Sequence, residues 1–82
     1  MFSTLKFHDH VIKGATIAMH TFPNKWTVSV VAGPKGSGLF GDIEDETFEV
    51  AIIRPNNNML EDVMQWQTPA QVSTIMCVIS MM

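Results

Sequence analysis

Apolar and polar positions alternate in two successive runs in the first half of the chain. Between 15 and 22 (ATIAMHTF), Ala15, Ile17 and Met19 oppose Thr16, Ala18, His20 and Phe22. That period of two marks a strand, whose successive side chains point to opposite faces. Between 26 and 32 (WTVSVVA), Trp26, Val28, Val30 and Ala32 take one side and Thr27, Ser29 and Val31 the other. Pro23-Asn24-Lys25 separates the runs with turn chemistry, since proline presets φ and asparagine tolerates left-handed geometry. The two runs therefore predict a hairpin. A third run, Thr47 to Arg54, sets Phe48, Val50 and Ile52 on one face and ends at the Pro55-Asn56-Asn57-Asn58 turn. Residues 4–11 place Leu5, Phe7 and Val11 on one side and predict a short strand. Residues 59–66, carrying Leu60, Val63 and Trp66, read either as an edge strand or as irregular cover.

After Gln67 the period changes. Thr68 suits a helix N-cap, Pro69 the first helical position, and Gln71 completes a capping box. Val72, Ile75, Met76, Ile79 and Met82 then recur at helical spacing, one apolar stripe on an amphipathic helix. Strands followed by one such helix predict an α+β fold: a small antiparallel sheet of three to four strands in a meander, with the C-terminal helix packed on a face. The 82 residues make a single domain, 1–82, near the size at which one core supplies only modest stability.

Composition sharpens this picture. The hydrophobic share is 46% and the charged share only 16%, low for a chain with so much surface to cover. The net charge is −3, and Lys6, Lys13, Lys25, Lys35 and Arg54 stand singly. No basic stripe offers itself to nucleic acid. The lone cysteine, Cys77, has no internal disulfide partner and suits a reducing cytosol. Lys6, His8, Asp9, His10 and Lys13 interrupt any apolar run near the start, so no secretion signal is expected. The uncharged stretch from Val63 to Met82 is broken by Gln65, Gln67, Pro69, Gln71, Ser73 and Thr74, short of the ~20 mostly apolar residues of a membrane span.

The stretch GPKGSGLFGD, 33 to 42, raises the sharpest chemical question. Gly36, Gly38 and Gly41 fit G-x-G-x-x-G, and Gly33 to Gly38 has the glycine spacing of a Walker A loop. A Walker loop also needs a lysine for the phosphates and a Ser or Thr for magnesium. Those slots hold Leu39 and Phe40. A dinucleotide fingerprint needs a helix directly after the glycines, whereas Asp42, Glu44, Asp45 and Glu46 follow, and then a strand. The stretch is not a P-loop. It reads as a glycine-rich hairpin loop, with Gly33, Lys35, Gly36, Ser37, Gly38 and Gly41 as a candidate anion site, because backbone N–H groups in such loops hold anions.

Other constellations are thinner. His8, His10 and His20 could converge on a metal only if the two strands bring them together, and the simpler reading is a solvated polar face. The acidic run lacks EF-hand spacing. No Ser–His–acid spacing stands out, so neither catalysis nor a cofactor or bound metal is expected. The back of the predicted helix says more. Ala70, Ser73, Thr74, Cys77, Ser80 and Met81 are small or apolar and uncharged, where a solvated helix usually carries Lys and Glu. Two readings stand: a plain terminal helix, or a surface for self-association or a partner.

The segments HTFPNKWTVSVVAG, TFEVAII and DVMQWQTPAQVSTIM resemble a group of small uncharacterised accessory proteins of tailed bacteriophages. In that group an H-x-F-x-N-x-[YW]-T-V-S-V-V hairpin leads through a glycine-rich loop to F-E-V-A. A D-D-V-x-x-W-x-[ST]-P-E-Q-V segment then opens the final helix. Glu61 replaces the first acid of that last motif and Ala70 its usual glutamate. The resemblance implies a phage origin and a product made in the host cytoplasm. It also implies stoichiometric binding and inhibition of a host protein, with antidefence activity a special case. The expectation is thus a non-enzymatic homodimeric binding module, with no nucleic-acid or membrane partner. The alternative is an oligomer that sequesters a nucleotide or small anion in the Gly33–Gly41 loop.

Overall fold

Each well-patterned run forms its strand in the computed structural model, which describes residues 1–82. The order is β1 (His8–Asp9), β2 (Thr16–Thr21), β3 (Thr27–Ala32), β4 (Phe48–Ile53), β5 (Leu60–Gln67) and α1 (Pro69–Ser80), after a 3₁₀ turn at Phe2–Thr4. All neighbours pair antiparallel in the order β1-β2-β3-β4-β5. The α+β class and the meander hold, but the sheet has five strands rather than three or four. The stretches that make the difference are those where alternation is weakest. In the first, only His8 and Asp9 find ladder partners, Ile17 and Thr16. Phe2, Leu5 and Phe7 instead pack on the flank of the core, and Phe2 and Phe7 lie 5.0 and 5.7 Å from the Phe48 ring. Val11, expected beside Leu5 and Phe7, is 98% exposed. In β5 the register slips between Phe48 and Val50 and again between Ile52 and Ile53. Each slip inserts one extra residue, which is why Leu60, Val63 and Trp66 recur every three positions instead of every two.

Register assigns the two faces, since residues directly opposite one another point the same way. One face carries the rows Ala18–Val30–Val50–Met64 and His20–Val28–Ile52–Asp62. There Phe22, Val28, Val30, Val50 and Ile52 meet Val72, Met76 and Ile79 of α1 and form the core. Burial of each of these side chains stabilises the fold by about 1.5–3 kcal/mol. Ile17 and Met19 therefore turn away from the core, and Ala18 and Phe22 into it.

The capping box forms as predicted. Gln71 N–H donates to Thr68 Oγ1 at 3.2 Å, and Thr68 N–H donates to Gln71 Oε1 at 2.8 Å. At the other end the helix stops at Ser80, so Met82 leaves the expected stripe and is exposed. Asn24, in the β2–β3 turn, reaches across and donates from Nδ2 to the carbonyls of Ile79 (2.8 Å) and Met82 (3.1 Å). Its Oδ1 accepts from Trp26 N–H at 3.1 Å. One turn side chain thus ties the first hairpin to the helix C-terminus, whose last carbonyls have no partner within the helix.

Candidate functional site

The glycine-rich loop is closed on itself. Lys35, its one cation, is bound by Asp42 at 2.9 Å and Asp45 at 3.0 Å. Its ammonium, hydrogen-bonded first to Asp42 and then to Asp45, is pushed above the ordinary lysine range. The hydrogen bond from Lys35 holds the Asp42 carboxyl below its ordinary 3.8, against the opposing effect of burial. Many of the amides are engaged as well. Gly33 N–H donates to Gly41 C=O, Ser37 N–H to Pro34 C=O and Ile43 N–H to Gly33 C=O. Phe40 N–H donates to Glu49 Oε1, Asp42 N–H to Thr47 Oγ1, Glu44 N–H to Asp42 Oδ1 and Leu39 N–H to Ser37 Oγ. Gly36 and Gly38 stand at φ 83° and 86° at the loop tip, and a side chain there would meet nothing. Gly41 is different: an added Cβ would lie 2.7 Å from Glu49 N, Phe48 Cα and Val31 O. The loop is pressed on the sheet backbone at that point. Of the candidate anion residues, Lys35 thus faces carboxylates rather than an open cradle.

The tip of this loop builds something the periodicity did not announce. Trp66 has φ 56°, a left-handed conformation that bulky side chains rarely adopt and that costs on the order of 1–3 kcal/mol. Its N–H donates to Phe40 C=O at 2.9 Å, and the two rings meet edge to face at 6.1 Å and 89°. Both stay about half exposed, Trp66 at 51% and Phe40 at 45%. Because Glu49 shares a row with Val31 and Ile17, its bond to Phe40 sets this aromatic pair at one end of the sheet face that α1 leaves uncovered.

That uncovered face carries the rows Met19–Ser29–Ala51–Val63 and Thr21–Thr27–Ile53, with Leu60 opposite Ile53. Thr21 and Thr27 join their hydroxyls at 2.8 Å. None of these positions is charged. Neither face of β2 or β3 carries a lysine or glutamate, so local pattern does not single this surface out; the register does.

The helix back is a mixed surface. Ala70, Thr74, Cys77 and Met81 are exposed and Ser80 is half-buried, its hydroxyl donating to Cys77 C=O. Ser73 leaves the expected set, because its Oγ accepts from Phe2 N–H at 2.9 Å and the 3₁₀ turn packs against it. Towards β5 the helix leaves an apolar groove of about 150 Å³ between Ile52, Met64, Thr74, Ile75, Val78 and Ile79, in which Val78 is 52% exposed. Its floor is hydrocarbon, and its size suits one aliphatic or aromatic side chain.

The imidazoles are not gathered. His10 Nδ1 accepts from Ile12 N–H, His20 stacks edge-on against Phe22 at 4.6 Å, and His8 sits on β1. No three His, Cys, Asp or Glu side chains are grouped to hold a metal ion. No helix is long and apolar enough to cross a membrane. Comparisons with protein families, with curated proteins and with solved structures find no match.

Proposed function

We propose that the protein is a non-enzymatic binding module that holds a host protein stoichiometrically and inhibits it, a phage accessory product acting in the host cytoplasm. The observation that carries this reading is the groove beside α1, an apolar slot open to solvent and flanked by a helix without a single charge. Such a slot accepts an apolar anchor from a partner helix or loop, a recurring mode of protein recognition. The resemblance to phage accessory proteins supports the source of the module, and inhibition of a defence protein is one form of the same activity. The nucleotide-sequestering alternative has no observation in its favour, since Lys35 is already bound by two carboxylates.

Affinity capture from host lysate tests this reading. The unmodified chain is expected to retain one partner in stoichiometric amount, Val78→Lys to lose it, and Lys13→Glu to keep it. Capture that is equal with Val78→Lys, or no enriched protein at all, sinks the proposal. A thermal-shift screen with nucleotides checks the alternative, because a ligand at a hundredfold excess over Kd stabilises a fold by about 2.7 kcal/mol.

A further inference from the structure

We infer that the uncovered sheet face is the contact between two copies of this chain, packed sheet on sheet. The inference rests on the reading of the chain as a binding module and adds to it the surface through which that module pairs with itself.

Three observations select this face and this occupant. The first is chemistry. An antiparallel sheet with one face in water normally alternates apolar and charged residues. Here the outward positions of four adjacent strands include Met19, Thr27, Ser29, Ala51, Ile53 and Val63, side chains of the size that interdigitates between stacked sheets. Met19 is 59% exposed. The carboxylate at the end of the face, Glu49, is occupied by Phe40 N–H. Two chains of net charge −3 would repel across most of their surfaces, but on this one the rows through Met19 and Thr21 carry no charge.

The second is area. Strands β2 to β4 of six residues and β5 of eight, about 4.8 Å apart at about 3.4 Å per residue, give roughly 400 Å² in plan, of which the end at Val31 is already covered by the glycine loop. With the exposed Phe40, Trp66 and Leu60 at its ends, two facing copies approach the ~1,000 Å² that a specific interface requires. The helix back cannot do this alone, since the twelve residues of α1 span about 18 Å and offer roughly 200 Å² in plan.

The third is the edge. β5 is the long edge strand, yet Asp62 Oδ1 accepts from Val63 N–H and Gln67 Nε2 donates to Gln65 C=O, each at 2.8 Å. Side chains thus occupy one N–H and one C=O that a second sheet would use for edge pairing, and two bulges distort the strand further. This edge is therefore less suited to pairing than the open face.

Light scattering on a concentration series decides the matter. The unmodified protein is expected at twice its 9.1 kDa chain mass, and Met19→Lys and Ile53→Lys at the chain mass with an unchanged far-ultraviolet spectrum. A monomer at high concentration overturns the inference, as does dissociation by Cys77→Lys while Met19→Lys stays dimeric. Should the lysine variants fail to fold, Ser29→Cys in a Cys77→Ser background supplies a gentler reading. Its thiol labelling should slow as protein concentration rises, and a rate independent of concentration refutes the contact. Lost host capture by an intact dimer defeats the groove reading alone, whereas a monomer that still captures its partner defeats this inference alone.

Discussion

The two faces of the sheet are built from the same strands and differ in what they meet. The face under α1 presents Val28, Val30, Val50 and Ile52, all buried to within a few per cent. The other presents Met19, Thr27, Ser29 and Ala51 from the intervening positions, half-covered or open. The first face is closed by large aliphatic side chains interlocking with Met76 and Val72, so its energy is already realised in the single chain. The second has few charges, with Glu49 at its end, and is covered by no helix. That difference separates residues that hold the fold from residues free to hold something else.

Equivalent methionine truncations, one in α1 against the closed face and one on the open face, test the contrast most severely. Met76 is 1% exposed at the centre of the core, and Met76→Ala should cost about 2–5 kcal/mol. Met19→Ala, on the open face, should change monomer stability by under about 0.5 kcal/mol. Urea denaturation at low concentration measures both, and similar losses would erase the distinction.

Gly41 probes where the loop joins the open face. Its missing Cβ would strike backbone atoms of β3 and β4 at 2.7 Å, which cannot swing aside as a flexible side chain would. Gly41→Ala should therefore destabilise by about 1–3 kcal/mol and loosen the Phe40–Trp66 pair, seen as a shift in tryptophan emission. A neutral effect would mean that the loop is not seated on the sheet.

Asn24→Ala sharpens the closed side. It removes the donor to Ile79 and Met82 and the acceptor for Trp26 N–H, and should cost about 1–2 kcal/mol. Hydrogen exchange should rise in the last turn of α1 and in the β2–β3 turn together. Exchange confined to one of them would break the proposed coupling.

The smallest effect is expected from the loop's ion pair. The Asp42 carboxyl is held below 3.8 in the folded state, chiefly by Lys35, so the folded chain binds fewer protons there than the unfolded chain. The stability this contributes is complete above the ordinary carboxylate range and is lost as pH falls below 3.8 towards the depressed value. Lys35→Met should flatten that part of the acid limb in a pH series of melting temperatures. An unchanged limb would show that the pair leaves folding untouched.

Much of the candidate site lay outside what local pattern conveys. The helix back was readable at Ala70, Thr74, Cys77 and Met81 because helical spacing separates a back from a stripe. Ser73 was misplaced because its partner, Phe2, lies 71 residues away. The groove at Val78 was not legible, since it exists only where α1 and β5 fail to close over Ile52 and Met64. The glycine loop was readable as not a P-loop from Leu39 and Phe40. Its closure by Lys35, Asp42 and Asp45 required the fold.

By itself the sequence determined the hairpin of β2 and β3, the strand β4, the capping box of α1 and the α+β class. Each is written in interactions between residues a few positions apart: alternation, turn chemistry, and a side chain reaching its own helix terminus. Tertiary structure decided which side of each strand became the core, because a period of two defines two faces without ranking them. It also decided the clamp from Asn24 to Ile79, the bulges of β5 and the left-handed backbone of Trp66. These depend on contacts between segments far apart in the chain, where a single short helix covers one face of the sheet and leaves much of the other open.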